Sequence, residues 1–450
     1  MSANEEGQIV QSSQDKMDSM FDAWLDGQHL DFVSPEAEKA YRERVLRIKD
    51  VVQLKVPDRI PIYANVGFFS TYNAGTTTEE VMYDYDKLIN ACRDYILDLQ
   101  PDVHGGSAVL GPGKSYEILD YNLYLWPGYA KASDSPYTRV EKEFMKADEY
   151  DDLIRDPSDF LMRKYMPRIF GKLKAFQKLG NPVSLLQMPF TNTYLTAFGR
   201  PEMRVALEAL MSAGEEMIKW HKAVSTCNRQ VTEAGYPLIA GASTLAPYDV
   251  IADSLRGSKG VMTDLFRQPE KLLEAMERLT PVMVELGAET ARAAGRPLIF
   301  IPLHNGADGF MSDEQYSTFY WPTLRKLIVA YIDQGLVPFL FAEGHYTSRL
   351  GIIGDIPKGK VVWHFDFTDM ALAKEALRDV ACIAGNVPIS LLNTGTPDEV
   401  RKYCQELIDA AGKDGGFIMT SGGVIDKARP DNVRTMIECT KEYGVYSEKM

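Results

Sequence analysis

Two hydrophobic periods alternate along this chain, one of helices and one of short buried strands. Near the amino terminus Met17, Met20, Phe21 and Trp24 keep helical spacing. Ser34-Pro35-Glu36-Ala37-Glu38 reads as a helix start with proline in the first turn, and the pattern runs on through Tyr41, Val45 and Ile48. Pro57-Asp58-Arg59-Ile60-Pro61 then breaks into extended chain. From there, apolar runs predict strands over 60–66, 103–108, 183–188, 238–242, 298–303, 337–341, 361–366, 381–386 and 417–420. Amphipathic stretches predict helices over 312–334, 370–377, 397–411 and 430–443. This repetition predicts an α/β fold, a (β/α)8 TIM barrel over residues 51–450. An N-terminal helical extension, 1–50, precedes it, with residues 1–16 expected to be disordered. The irregular stretch 111–180 reads as a lid or an insertion.

Composition narrows the setting. Of the 450 residues 45% are hydrophobic, ample for a large core. A formal charge of −14 argues against a nucleic-acid surface and against anionic lipid. The five cysteines are scattered with no CxxC spacing, as in a reduced, cytoplasmic protein. Residues 1–16 are polar and acidic, unlike a signal peptide, and no apolar stretch is long enough to span a membrane. Self-association into a homodimer is left open.

In a barrel of this kind the chemistry sits where strands end. Phe341-Ala342-Glu343-Gly344-His345 closes the apolar run that begins at Val337. Alternation puts Phe339, Phe341 and Glu343 on one face, so a carboxylate follows a greasy wall. Such a group calls for a metal, a cation or a substrate donor. Four of the six histidines, His104, His304, His345 and His364, fall at predicted strand ends. His29 and His221 read as structural. Asn305, Asp366, Asn386 and Ser421-Gly422-Gly423 occupy equivalent positions. His364 shares a face with Asp366 and reads equally as a core histidine or as a ligand. Phe68, Phe69 and Tyr72, just after the first strand, are candidates for a substrate pocket. Gly111-Pro112-Gly113-Lys114-Ser115 lacks the spacing of a phosphate loop, and no GxSxG, HExxH or GxGxxG motif in context is present.

Several of these segments together carry a resemblance. Pro57-Asp58-Arg59-Ile60-Pro61 resembles the opening of the uroporphyrinogen decarboxylase superfamily. Phe341-Ala342-Glu343-Gly344-His345 is similar to its F-A/T-K-G strand end, and Asp366-Phe367-Thr368 to its D-W-T. Gly385-Asn386 with Thr396-Pro397-Asp398-Glu399-Val400 resembles its G-N and following helix start. Ser421-Gly422-Gly423-Val424 with Pro430-Asp431-Asn432-Val433 resembles its terminal G-H-G and P-E-N-V. The likeness spans residues 40–445. Two departures stand out. The arginine-rich segment that holds porphyrinogen carboxylates in the decarboxylases is replaced by Phe68-Phe69-Ser70-Thr71-Tyr72, and Gly423 stands where the terminal histidine would be.

The resemblance therefore implies the corrinoid-dependent methyltransferase branch more than the porphyrinogen decarboxylases. It implies a methyl group moved from a small methoxylated or methylated substrate to a separate corrinoid protein. Glu343, His304 and Asp366 would carry the chemistry. Phe68, Phe69, Tyr72, Asn305, Asn386 and His104 would line the substrate. That branch often holds zinc through an H-x-C pair and a late cysteine. Ala342 and Gly344 occupy the H-x-C positions here, leaving Glu343, His345 and His364 as the expected ligands of an oxygen–nitrogen zinc site. The alternatives are a metal-assisted lyase or decarboxylase acting on a small acid without corrinoid, and a non-catalytic ligand-binding barrel.

Overall fold

The computed structural model describes residues 11–107 and 111–446. Two short strands, β1 (Tyr63–Ala64) and β2 (Val103–His104), form a parallel pair. Six more form one parallel sheet in sequence order: β3 (Ala240–Ser243), β4 (Leu298–Leu303), β5 (Val337–Ala342), β6 (Val362–Phe365), β7 (Cys382–Val387) and β8 (Phe417–Ser421). Single parallel bridges, Ile62 to Met419 and His104 to Leu238, link the pair to both edges of the larger sheet. At these seams the Met419 amide donates to the Pro61 carbonyl at 2.9 Å, and the Ile239 amide to His104 at 3.0 Å.

β5 and β7 are buried at every position, as expected for strands covered on both faces. One face packs Ile301, Leu340, Trp363 and Ile383 into the core shared with the helices. The other contributes Leu298, Val337, Phe339, Val362, Cys382 and Ile418 to a second core. Into that second core come Met17, Phe21 and Trp24 of α1 (Ser13–Asp26) and Tyr41, Val45 and Ile48 of α2 (Pro35–Val52). The two helices thus cover the amino ends of the strands. Sequence chemistry sets their bounds. Ser12 forms a capping box with Asp15, Gly27 ends α1 at φ 57°, and Ser34 caps α2 ahead of Pro35.

The base of the sheet is pinned by ion pairs. Asp102, fully buried, accepts from Arg59 at 2.7 Å, from Arg47 at 3.1 Å and from the Ile62 amide at 2.9 Å. Arg47 also meets Asp58 at 2.6 Å.

Four expectations are corrected. The run 183–188 is no strand. It forms a 3-10 turn, Pro182–Leu186, followed by a helix, Met188–Thr196, with Val183, Leu186 and Met188 exposed. Pro182 and Pro189 lack the amide donors that a ladder needs. The helix α1 starts at Ser13, inside the stretch expected to be disordered, whereas residues 1–10 lie outside the described residues. The second strand ends at His104, and Ala108 of its expected span lies outside the described residues. Finally, the helix expected over 312–334 is broken by a π-type segment, Tyr316–Tyr320, and ends at Ile332. The stretch 111–180 holds short helices and one small antiparallel pair, Tyr124–Leu125 with Thr138–Arg139.

Candidate functional site

Past the carboxyl end of β3 the chain turns at Pro247 into a short helix, Pro247–Asp249, and a π-type segment, Val250–Arg256. Such segments widen a helix and re-aim its side chains. Here Asp249 and Asp253 both point to the end of β4. The amides of His304 and Asn305 donate to the Asp249 carboxylate at 3.0 and 3.1 Å. Asn305 Nδ2 donates to the same carboxylate at 2.8 Å and to Asp253 at 3.3 Å. The Tyr320 hydroxyl, turned inward by the second π-type segment, donates to Asp249 at 2.6 Å. His304 Nδ1 meets Asp253 Oδ2 at 2.5 Å, and its Nε2 lies 3.8 Å from Glu343 Oε1. Asp366 accepts the Gly344 amide at 3.1 Å, which fixes the turn that carries Glu343.

Electrostatics follow from this crowding. Burial raises Glu343 to about 7, with Asp249, Asp366 and Asp253 adding to the rise and His304 opposing it. Its side chain is 41% exposed at a concave mouth, so solvent reaches a carboxyl that protein surrounds. Burial alone would lower His304, but Asp253, Glu343 and Asp249 outweigh it and raise the imidazole to about 9. Burial lifts Asp249 to about 6, against the pull of His304, Tyr320 and Asn305. Burial also raises Asp366. At neutral pH the mouth therefore holds an imidazolium beside a carboxyl group poised to give up a proton.

The antiparallel pair covers one side of this mouth. Arg139 donates to the Asp253 carbonyl at 2.7 Å and lies 3.6 Å from its carboxylate. Behind the pair is a cavity of about 240 Å³ lined by Met82, Tyr116, Tyr121, Tyr124, Trp126 and Tyr137. Tyr124 sits in the field of both Arg139 and Asp253, so the cavity abuts the carboxylates. Tyr137 packs edge-on to Phe68 at 5.3 Å.

Of the expected residues, the structure brings His304, Glu343 and Asp366 together. Asn305 is buried and holds Asp249 and Asp253 rather than facing a substrate. Asn386 donates to the carbonyls of Asp366 and Thr368, holding the loop after β6. Phe68 and Phe69 are both buried in the core, and Phe68 also meets the tyrosine cavity through Tyr137. The Tyr72 hydroxyl donates to the Asp134 carbonyl at 2.6 Å. His104 is fully buried, accepts the Gly106 amide at Nδ1 and is lowered to about 4 by burial, so it is a neutral core residue.

The expected zinc ligands do not converge. His364 is fully buried, bonds the Ser421 carbonyl through Nε2 at 2.8 Å, stacks on Phe341 at 4.4 Å and is lowered to about 4 by burial. His345 is exposed and stacks on Phe367 at 5.4 Å. Among the described residues no three His, Cys, Asp or Glu side chains gather around a position for an ion, and all five cysteines are buried. The donor set does not fit a zinc ion.

Asp249, Asp253, Tyr320 and Arg139 were not among the expected residues. Asp249 and Asp253 follow an apolar run at i, i+4 spacing behind Pro247, and that strand end went unread beside the histidine-bearing ones. No comparable signal marks Arg139.

Residues 200–443 match the family described as Uroporphyrinogen decarboxylase (URO-D), more than half of the chain. The chain belongs to the uroporphyrinogen decarboxylase family. His304, Glu343, Asp366, Asp249 and Asp253 all lie inside the matched stretch, and the tyrosine cavity precedes it. Uroporphyrinogen decarboxylase of Chlorobium phaeobacteroides is 24% identical over 220 residues, 46% of this chain and 60% of that protein. Methylcobamide:CoM methyltransferase MtbA of Methanosarcina mazei is 24% identical over 180 residues, 37% of this chain and 50% of that protein. The chain thus spans no more than 60% of the length of these curated relatives. A solved methyltransferase from Methanosarcina mazei aligns with 88% of this chain and 98% of its own, at 14% identity and a TM-score of 0.58, a likeness of fold.

Proposed function

We propose that this family member is a methyltransferase that moves a methyl group from a small methoxylated or methylated substrate to a corrinoid protein. The observation that carries the reading is the Glu343–His304 pair, 3.8 Å apart at the mouth, with the carboxyl raised to about 7. In this reading the two bridged seams close the sheets into a (β/α)8 barrel over residues 51–450, with the amino-terminal helices as an extension across its base. Five buried free cysteines support a reducing, cytoplasmic setting. Among the described residues no helix is long and apolar enough to cross a membrane.

The corrinoid supplies the reduced cobalt that accepts the methyl group. This chain's residues serve the leaving oxygen or nitrogen. As the bond to the methyl carbon breaks, Glu343 delivers its proton to the departing atom. The carboxylate left behind faces the His304 imidazolium, which Asp253 holds in place. Asp249 fixes the backbone of His304 and Asn305 and is itself fixed by Tyr320. The tyrosine cavity beside the mouth takes the apolar body of the substrate.

The lyase reading draws on the same proton donor, which could equally protonate a carbanion left by decarboxylation, and several curated relatives carry that name. The absence of an arginine cluster after β1 weighs against a tetrapyrrole with many carboxylates. One experiment separates the readings. The protein is mixed with candidate methyl donors and a reduced corrinoid protein, and the corrinoid spectrum is followed. Methylated corrinoid is expected only when all three are present. Conversion of substrate with no corrinoid in the mixture would establish the lyase instead.

A further inference from the structure

We propose that a cavity at the base of the sheet, opposite the mouth, binds a small oxyanion through Arg296 and Arg229. The cavity measures about 300 Å³ and lies between the amino-terminal helices, the helix Pro201–Glu233 and the turn that precedes β4. Trp24, His29 and Tyr41 line it from one side, and Asn228, Arg229 and Arg296 from the other. Two guanidinium groups and an imidazole face it, and no carboxylate lines it. In a chain of net charge −14 that is a local reversal of sign.

Arg296 is the anchor. Its Nε donates to the Ala240 carbonyl at 3.0 Å, and among the described residues no carboxylate pairs with it. Arg44 also lacks a carboxylate partner among the described residues, but it donates to the Gly235 carbonyl at 2.6 Å and stacks over the Tyr236 ring. Other covered arginines are paired. Arg47 and Arg59 meet Asp102, Arg256 meets Asp264, and Arg349 meets Asp313. A guanidinium taken out of water without a counter-charge is costly, and its remaining fork of donors suits an oxyanion. Burial pushes Arg296 below its usual value, as expected for a cation whose partner has yet to arrive. Arg229 is exposed at the rim and likewise forms no ion pair among the described residues. Asn228 adds a polar side chain to the lining beside Arg229.

An occupant would touch both the amino-terminal helices and the helix Pro201–Glu233, so its binding should stabilise their union. The full-length protein is titrated calorimetrically with inorganic phosphate and, separately, with lactate. Its melting is followed in each against sodium chloride at equal ionic strength. Saturable binding of at least one, with a higher Tm than in chloride, is expected, and the two arms tell phosphate from carboxylate. Arg296→Gln should weaken that binding about tenfold or more, the loss expected for a charge-assisted contact. Arg229→Gln, at an exposed position that leaves the fold intact, should weaken it a few-fold. Binding of neither ligand, or affinity unchanged in Arg229→Gln and in any folded Arg296→Gln protein, would overturn the proposal.

Discussion

The two ends of the sheet use the same charged residue types to opposite effect. At the base, Asp102 is enclosed by Arg47, Arg59 and an amide, so its charge is met from three directions. At the mouth, Asp249, Asp253 and Glu343 crowd around His304, with Asp366 beside Glu343 and Arg139 at the edge. The Asp102 cluster is balanced and the mouth is not. Balance holds a fold together, whereas imbalance lifts carboxyl groups toward neutrality, where a proton can be exchanged. The contrast also appears in pH. Arg47 holds Asp58 below its usual value despite burial, so that stabilisation is present above about pH 4 and fades in acid. Glu343 and His304 are both raised. Their contribution to stability is complete below the ordinary values of 4.5 and 6.5 and fades as pH rises through about 7 and about 9.

The largest effect should come from breaking the balanced end. Asp102→Ala leaves two arginines without their shared partner, and the unfolding free energy should fall by about 3–5 kcal/mol in denaturant titration. Any residual folded protein should keep the wild-type pH profile. A small loss would mean that solvent reaches the base and compensates. At the mouth, Glu343→Gln keeps the shape and removes the proton, so turnover should fall at least about a hundredfold. Its stability at pH 8 should be equal to or above wild type, because a raised carboxyl no longer has to ionise. Near-normal turnover would make Glu343 a bystander.

A third comparison needs no mutation. If protonated Glu343 is the acid, the rate should be highest below pH 7 and fall about tenfold per unit above it. A rate that climbs through pH 7 would assign the residue as a base. The smallest effect is expected from Tyr320→Phe, which removes one hydroxyl from Asp249. Stability should drop by about 1.5–3 kcal/mol, the range for a hydrogen bond to a charged group, and turnover by a few-fold. Loss of turnover as large as in Glu343→Gln would place Tyr320 in direct contact with the reacting atoms.

Much of this was legible in the sequence because buried parallel strands leave a plain trace. β4 and β5 are unbroken apolar runs that His304 and Glu343 follow directly, and Asp366 follows β6, whose run is interrupted only by His364. The same rule failed at 183–188, where a run interrupted by Ser184 and Gln187 is bordered by Pro182 and Pro189 and finds no neighbouring strand. Asp249 and Asp253 escaped because their convergence depends on a π-type segment, which leaves no period of its own. His364 was matched correctly in parity with Asp366, but its ring is committed to the Ser421 carbonyl across the sheet, a contact of high sequence separation. The tyrosine cavity depends on an antiparallel pair of two residues per strand, too short for any pattern to declare.

The amino-terminal helices have a consequence for biosynthesis. Met17, Phe21 and Trp24 share one core with residues as late as Ile418, and Lys16 bonds the Asp333 carbonyl. A ribosome releases these helices before the sheet, yet their resting place is completed only by strands translated later. Throughout elongation the apolar stripe of α1 therefore travels uncovered. The nascent chain should recruit a holdase early, and a stalled or truncated product should aggregate through α1 rather than through its unfinished end.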